Sequence, residues 1–168
     1  MKREGHLIAY GEPVKLDRKD KRILELLNTN ARLSIADISR KTGIQRDSVL
    51  YRIRRMEKQN VIRYYHTLLN PSVIGYPVYS FVNLVLHNLD GQKEKSFIAF
   101  LRTHPNIVYV AKTTGKWDFT IAVCARNLSD FDKIISGIRM KFSRIIKDYD
   151  SASIIQEYKF DNMVGLID

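Results

Sequence analysis

Ser34-Ile35-Ala36-Asp37-Ile38-Ser39-Arg40-Lys41-Thr42-Gly43-Ile44-Gln45-Arg46-Asp47-Ser48-Val49-Leu50-Tyr51-Arg52-Ile53-Arg54-Arg55-Met56 is the stretch on which the reading of this chain turns. Ser34 followed three residues later by Asp37 fits a helix-opening cap, because a hydroxyl and an acid at that spacing satisfy the free amides of a first turn. Ile35 and Ile38 then share one helical face. Thr42-Gly43 closes this short helix, since Gly tolerates the left-handed conformation a tight turn needs. A longer helix is predicted over about Arg46 to Gln59. Val49, Ile53 and Met56 form its inner stripe with Leu50 beside them, while Arg46, Asp47, Ser48, Tyr51, Arg52 and Arg55 lie elsewhere on its surface. Two helices joined by a Gly-containing turn, the second one basic, match a helix-turn-helix, whose second helix enters the major groove of DNA.

Outward on the N-terminal side, Asp17 is a good cap and Asp20 sits in the favoured first turn of another helix carrying Ile23, Leu24 and Leu27. Asn28 to Asn30 reads as its stop. On the C-terminal side, Val61 to Leu69 is β-prone and predicts a short wing strand ending at Asn70-Pro71. The leading end of a recognition helix meets base edges, which nominates Gln45, Arg46, Asp47, Ser48 and Tyr51 for sequence reading. Arg52, Arg54 and Arg55 are nominated for phosphates, and Arg63 on the wing for the duplex backbone. A three-helix core with a merely solvated charged face satisfies the helical pattern alone. Spacing, turn residue and charge together favour the DNA reading.

Charge distribution points the same way. The chain of 168 residues has a formal net charge of +10. Residues 1–70 carry 16 Lys and Arg against 8 Asp and Glu, whereas residues 71–168 carry 12 against 10. The excess is thus concentrated where the helix-turn-helix lies, as a polyanion partner requires.

Beyond the linker, Val78 to Leu86 is β-rich, Gln92 to Thr103 helical, and Ile107 to Lys112 and Trp117 to Ala125 strands around a tight Thr113–Lys116 connection. A helix capped by Ser129 and Asp132 follows, with Phe131, Ile134, Ile135, Ile138 and Phe142 inward, and Tyr149 to Phe160 is a last strand. The order βαββαβ is the split βαβ motif. It leaves one sheet face without helices, and Tyr79, Phe81 and Val85 make that face a candidate dimerisation surface. The expected fold is α+β, an N-terminal winged helix-turn-helix plus a C-terminal ferredoxin-like domain. Its expected boundaries are a flexible tail over 1–15, the winged helix-turn-helix over 16–69, a linker over 70–77, the ferredoxin-like domain over 78–160 and a tail over 161–168.

Little else in the chain points to chemistry. His6, His66, His87 and His104 lack metal-ligand spacing. Neither a Gly-rich phosphate loop nor a nucleophile elbow occurs. Cys124, the single cysteine, sits mid-strand without a basic cluster and reads as a buried structural thiol. No cofactor is expected. Apolar runs are too short for a membrane span or a signal-peptide core, so a cytoplasmic protein is expected.

Taken in order, Leu16-Asp17-x-x-Asp20-x-x-Ile23-Leu24, Asn30-Ala31-Arg32-Leu33-Ser34, Gly43-Ile44, Val49-x-x-Arg52-Ile53-Arg54-Arg55-Met56-Glu57, Val61-Ile62, Leu69-Asn70-Pro71 and Gly115-x-x-Asp118 resemble the Lrp/AsnC family of bacterial and archaeal regulators. The resemblance covers residue 16 to about 160. It implies a winged helix-turn-helix, a linker, and a ferredoxin-like effector domain. It also implies assembly with itself as a dimer or an octamer of paired dimers, double-stranded promoter or operator DNA as partner, and an amino acid or related small molecule as effector. The effector segment it implies is Thr114, Gly115, Lys116, Trp117 and Asp118. Here Lys116 stands where the family often has an acidic residue, and Trp117 is bulky. A plain hairpin, with Gly serving the turn and Trp packing, is the alternative for that segment. Sirohaem decarboxylases share the two-part architecture, and a ligand-sensing oligomer that ignores DNA is a third class. The basic recognition helix and the Gly115-x-x-Asp118 turn argue against the former, and the N-terminal charge excess against the latter.

Overall fold

The computed structural model describes residues 12–160 and 162–167, so most of the expected N-terminal tail, with His6, lies outside the described residues. Two compact units are present. The first runs to Thr67 and is rejoined by the chain from Lys159 onward. The second is Leu68–Tyr158. The stretch after Phe160, expected as a tail, therefore contributes to the first unit. There a short 3-10 turn at Val164–Leu166 packs against the first helix, and Lys21 Nζ donates to the Ile167 carbonyl.

In the first unit, helix α1 spans Arg18–Thr29, α2 Ile35–Thr42 and α3 Arg46–Lys58. Their starts follow from local chemistry. The Asp17 carboxylate accepts the Lys19 and Asp20 amides at 2.8 and 2.9 Å, and the Asp20 carboxylate in turn accepts the Asp17 amide at 3.0 Å, a complete capping box. Ser34 accepts the Asp37 amide at 3.1 Å. Gly43 takes φ of +72° at the end of α2, and the turn is tied by Ser39 Oγ donating to the Ile44 carbonyl at 2.6 Å. Ile23, Ile38, Ile44, Val49, Ile53 and Met56 form the buried core beneath the three helices.

No strand forms over Val61–Leu69, which corrects the expected wing. Val61 and Ile62 bond back to the Met56 carbonyl and pack on the core; the chain beyond carries no regular structure up to the turn at Pro71. A strand exists only through a ladder partner, and the first unit offers none among the described residues. Instead Tyr65 OH donates to Glu57 Oε1 at 3.0 Å, which ties the segment to α3. Burial, with that carboxylate beside it, pushes the Tyr65 phenol up to about 12.

The second unit comprises β1 (Val78–Leu86), α4 (Gly91–Thr103), β2 (Ile107–Lys112), β3 (Phe119–Ala125), α5 (Leu128–Lys141) and β4 (Ile146–Ser153). The strands pair antiparallel in the order β2-β3-β1-β4, the ferredoxin-like arrangement. Val82, Leu84, Phe119, Ile121 and Val123 on one sheet face meet Phe97, Leu101, Ile135 and Ile138 from the helices, with the Phe97 and Phe119 rings edge-on at 5.7 Å. Three expected boundaries move. Helix α5 begins at Leu128, ahead of the expected caps, because Asn127, not Ser129 or Asp132, accepts the Asp130 amide at 2.8 Å. Strand β4 is Ile146–Ser153 rather than 149–160, since it pairs with β1, and the ladder ends where Ser80 meets Ser153. Strand β3 begins at Phe119 because Trp117 and Asp118 are used in the preceding turn. No helix among the described residues is long and apolar enough to cross a membrane.

Candidate nucleic-acid interface

Helix α3 divides its side chains cleanly. Val49, Ile53 and Met56 are buried, whereas Gln45, Arg46, Asp47, Tyr51, Arg54 and Lys58 are exposed, and Ser48 is partly so. Asp47, Tyr51, Arg54 and Lys58 follow one another at i, i+4, i+7 and i+11, which is a single stripe along the outward face. Tyr51 is 67% exposed although it is aromatic. Gln45 precedes the first turn without spending its side chain on the cap, so its amide stays available. Tyr51, Arg54, Arg55, Lys58 and Gln59 line a shallow basic depression of about 550 Å³. Lys58 belongs to this face but escapes a reading based on the leading end of the helix; its spacing from Tyr51 and Arg54 is the signal that finds it.

Two of the expected phosphate residues spend guanidinium nitrogens on aspartates, although Arg55 also borders that depression. Arg52 Nη1 donates to both Asp17 oxygens and to Asp20 Oδ1, each at 2.8 Å. Arg55 Nη2 lies 2.5 Å from Asp20 Oδ2. The Asp20 side chain is 1% exposed, so its charge is compensated by these two guanidinium groups and the Asp17 amide. The hydrogen bond from the Asp20 amide, with the Arg52 guanidinium next in importance, holds the Asp17 carboxyl down at about 2. The same hydrogen bond from Arg52 to Asp17 raises Arg52 above its ordinary value. The sequence places Arg52, Arg54 and Arg55 together; the structure keeps only Arg54 on the outward stripe. Arg63 is exposed after α3, its guanidinium 5.3 Å from the Tyr64 ring centre.

The nominated effector segment forms the connection between β2 and β3. Gly115 takes φ of +99°, which a side chain would strain. The turn closes through the Thr113 amide to the Asp118 carbonyl at 2.9 Å and Thr113 Oγ1 to the Trp117 carbonyl at 2.6 Å. Thr114, Gly115 and Lys116 are exposed, and Lys116 Nζ stacks 4.4 Å over the Trp117 ring. Asp118 is turned inward, its Oδ2 accepting the Leu86 amide at 2.7 Å. No cluster of three or more potential metal-ligating side chains occurs among the described residues.

A helix-turn-helix with an outward basic helix, joined in one chain to an antiparallel sheet domain with two covering helices, defines the class of two-part DNA-binding regulators. Residues 16–57 match the AsnC-type helix-turn-helix domain and residues 80–164 match the Lrp/AsnC ligand binding domain, and the chain belongs to the Lrp/AsnC family of transcriptional regulators. The transcriptional regulator AldR of Mycolicibacterium smegmatis is 32% identical over 120 residues, 71% of this chain and 70% of that one. An AsnC family regulator from Agrobacterium tumefaciens superposes with a TM-score of 0.77 at 26% identity, covering 86% of this chain and 94% of its own. A Neisseria meningitidis regulator solved as an L-Met complex shares the fold with a TM-score of 0.79 at 21% identity, covering 90% and 99%.

Proposed function

We propose that this regulator reads DNA through the leading end of α3, with Gln45, Arg46, Asp47, Ser48 and Tyr51 at base edges and Arg54, Lys58 and Arg63 on phosphates. The observation that carries this reading is the exposed stripe of Asp47, Tyr51, Arg54 and Lys58, opposite a buried Val49–Ile53–Met56 face. Two such helices reading a nearly palindromic site about one helical turn apart, ~34 Å, require a dimer. Its proposed seam is the helix-free sheet face, where Phe81 meets the Tyr79 and Tyr109 rings edge-on at 5.9 and 6.4 Å. An isologous dimer buries such a face against its own copy.

The effector we infer is an amino acid or related anion held at Thr114 to Asp118. Asp118 is committed to the Leu86 amide, so the polar groups left for a ligand are Thr114, the Gly115 backbone and Lys116, which suit a carboxylate better than an ammonium. An effector acts only by binding one assembly or DNA-ready geometry better than another.

Genome-wide footprinting in the native cell tests the DNA reading and yields site, spacing and targets together. Enriched sites lacking any shared half-site would defeat it. Calorimetry with each amino acid tests the sensor separately; no heat with any of them removes the effector and leaves the DNA reading in place.

A further inference from the structure

Resting on the docking of α3 just described, we propose that Asp17 and Asp20 sequester Arg52 and Arg55 from the DNA backbone, so that binding depends more on base reading than the basic sequence of α3 implies. Two aspartates from the start of α1 sit against two arginines of α3, a cluster without net charge. Arg52 has three hydrogen bonds and a side chain 16% exposed. The Arg55 side chain is 30% exposed, and its Nε is buried without a partner, so its stem lies inward as well. Swinging either guanidinium out to a phosphate would strip a compensating charge from Asp20, which is buried. An ion left alone in the interior costs more than a screened pairing at the surface returns.

The consequence is one of selectivity. Sequence-independent affinity scales with the number of phosphates neutralised, whereas discrimination comes from base edges. Holding two arginines out of the count in each subunit lowers affinity for random DNA and leaves base readout untouched. The ratio of specific to random binding rises accordingly. Asp17 and Asp20 are thereby positioning residues, acting on DNA through arginines they restrain.

The test measures the affinity of the full chain for a random-sequence duplex by fluorescence anisotropy across salt, from about 50 to 200 mM. Each phosphate that is no longer neutralised should flatten the plot of log affinity against log salt by about 0.9, or roughly 3- to 4-fold in affinity across that range. Arg54→Gln is expected to flatten the slope, and Arg52→Gln to leave it as it was. Asp20→Asn, nearly isosteric, should steepen the slope and tighten binding to the random duplex. Asp17→Asn should act in the same direction more weakly, and Asn still caps α1 if Asp20→Asn fails to fold. Flattening by Arg52→Gln equal to that by Arg54→Gln overturns the sequestration alone, as does a slope unmoved by both aspartate variants. If Arg54→Gln also leaves the slope unchanged, the docking face itself is wrong, and this inference goes with it.

Discussion

The Asp118 carboxylate accepts the Leu86 amide at 2.7 Å, two residues past Leu84–Phe119, the last pair of the β1–β3 ladder. Because β3 begins only at Phe119, the ladder offers the Leu86 amide no backbone acceptor on that side, and a side chain from the β2–β3 turn supplies one. The same turn sends the Asp118 amide to the Leu84 carbonyl at 2.9 Å. A residue nominated for a ligand thus turns out to brace the sheet.

Asp118→Ala should therefore destabilise the second unit by about 1–3 kcal/mol, the usual cost of stranding a part-buried amide. Asp118→Asn keeps an acceptor and should cost much less. Urea denaturation of both variants decides the matter; equal, near-zero losses would mean that water replaces the bond.

Gly43→Ala should destabilise the first unit by about 1–2 kcal/mol, the cost of a left-handed backbone with a Cβ. Apart from its own chain neighbours, nothing lies within 4 Å of a Cβ built at this position, so that cost comes from φ of +72° and not from crowding. Gly43→Asn should cost less than Ala, because Asn tolerates that region. Thermal melts of the three chains give the order directly.

The elements that local chemistry controls were legible in the sequence. Asp17 and Ser34 announce the starts of α1 and α2, Gly43 announces the turn, and the 3.6-residue period of Val49, Ile53 and Met56 announces the buried face of α3. What escaped was non-local. A wing strand needs a partner that no stretch of residues 61–69 reveals about itself. The end of β4 is set by β1, with Ser153 paired to Ser80, 73 residues earlier. The pairing of Arg52 and Arg55 with Asp17 and Asp20 joins positions 32 and 35 residues apart. One local clue to that pairing exists: Arg52 follows Val49 by three residues and precedes Met56 by four, which puts it on the edge of the inner stripe. The inward turn of Asp118 left no comparable trace.

Asp17 gives the first unit a pH-dependent contribution whose sign is set by its lowered folded-state pKa. The folded carboxyl titrates at about 2, below its ordinary 3.8, because it accepts the Asp20 amide and the Arg52 guanidinium. The unfolded chain takes up the proton first as pH falls, so the stabilisation is complete above about pH 4 and is lost as pH drops toward 2. Asp17→Asn should be less stable than the parent chain at neutral pH, with the gap closing through that window. The side chain is 54% exposed, so solvent screening keeps the gap small. Denaturation curves at stepped pH test this, and a gap that stays constant from about pH 6 to about pH 2 would show that the charge of Asp17 contributes nothing.

Arg46 and Arg54 should separate the two modes of contact on α3. Both are exposed, but Arg46 opens the helix while Arg54 lies more than two turns along it. The leading end of a recognition helix points into the groove, and its later turns run out beside the backbone. Arg46→Ala should thus cost about 1–3 kcal/mol at one base position and relax the preference there, as expected when a bidentate pairing to guanine is removed. Arg54→Ala should weaken every duplex by a similar factor, leaving the order of preference intact. Binding to a selected site and to its single-base variants distinguishes these patterns. Should Arg46→Ala weaken all the variants alike while Arg54→Ala reorders them, α3 lies in the groove with the opposite end leading.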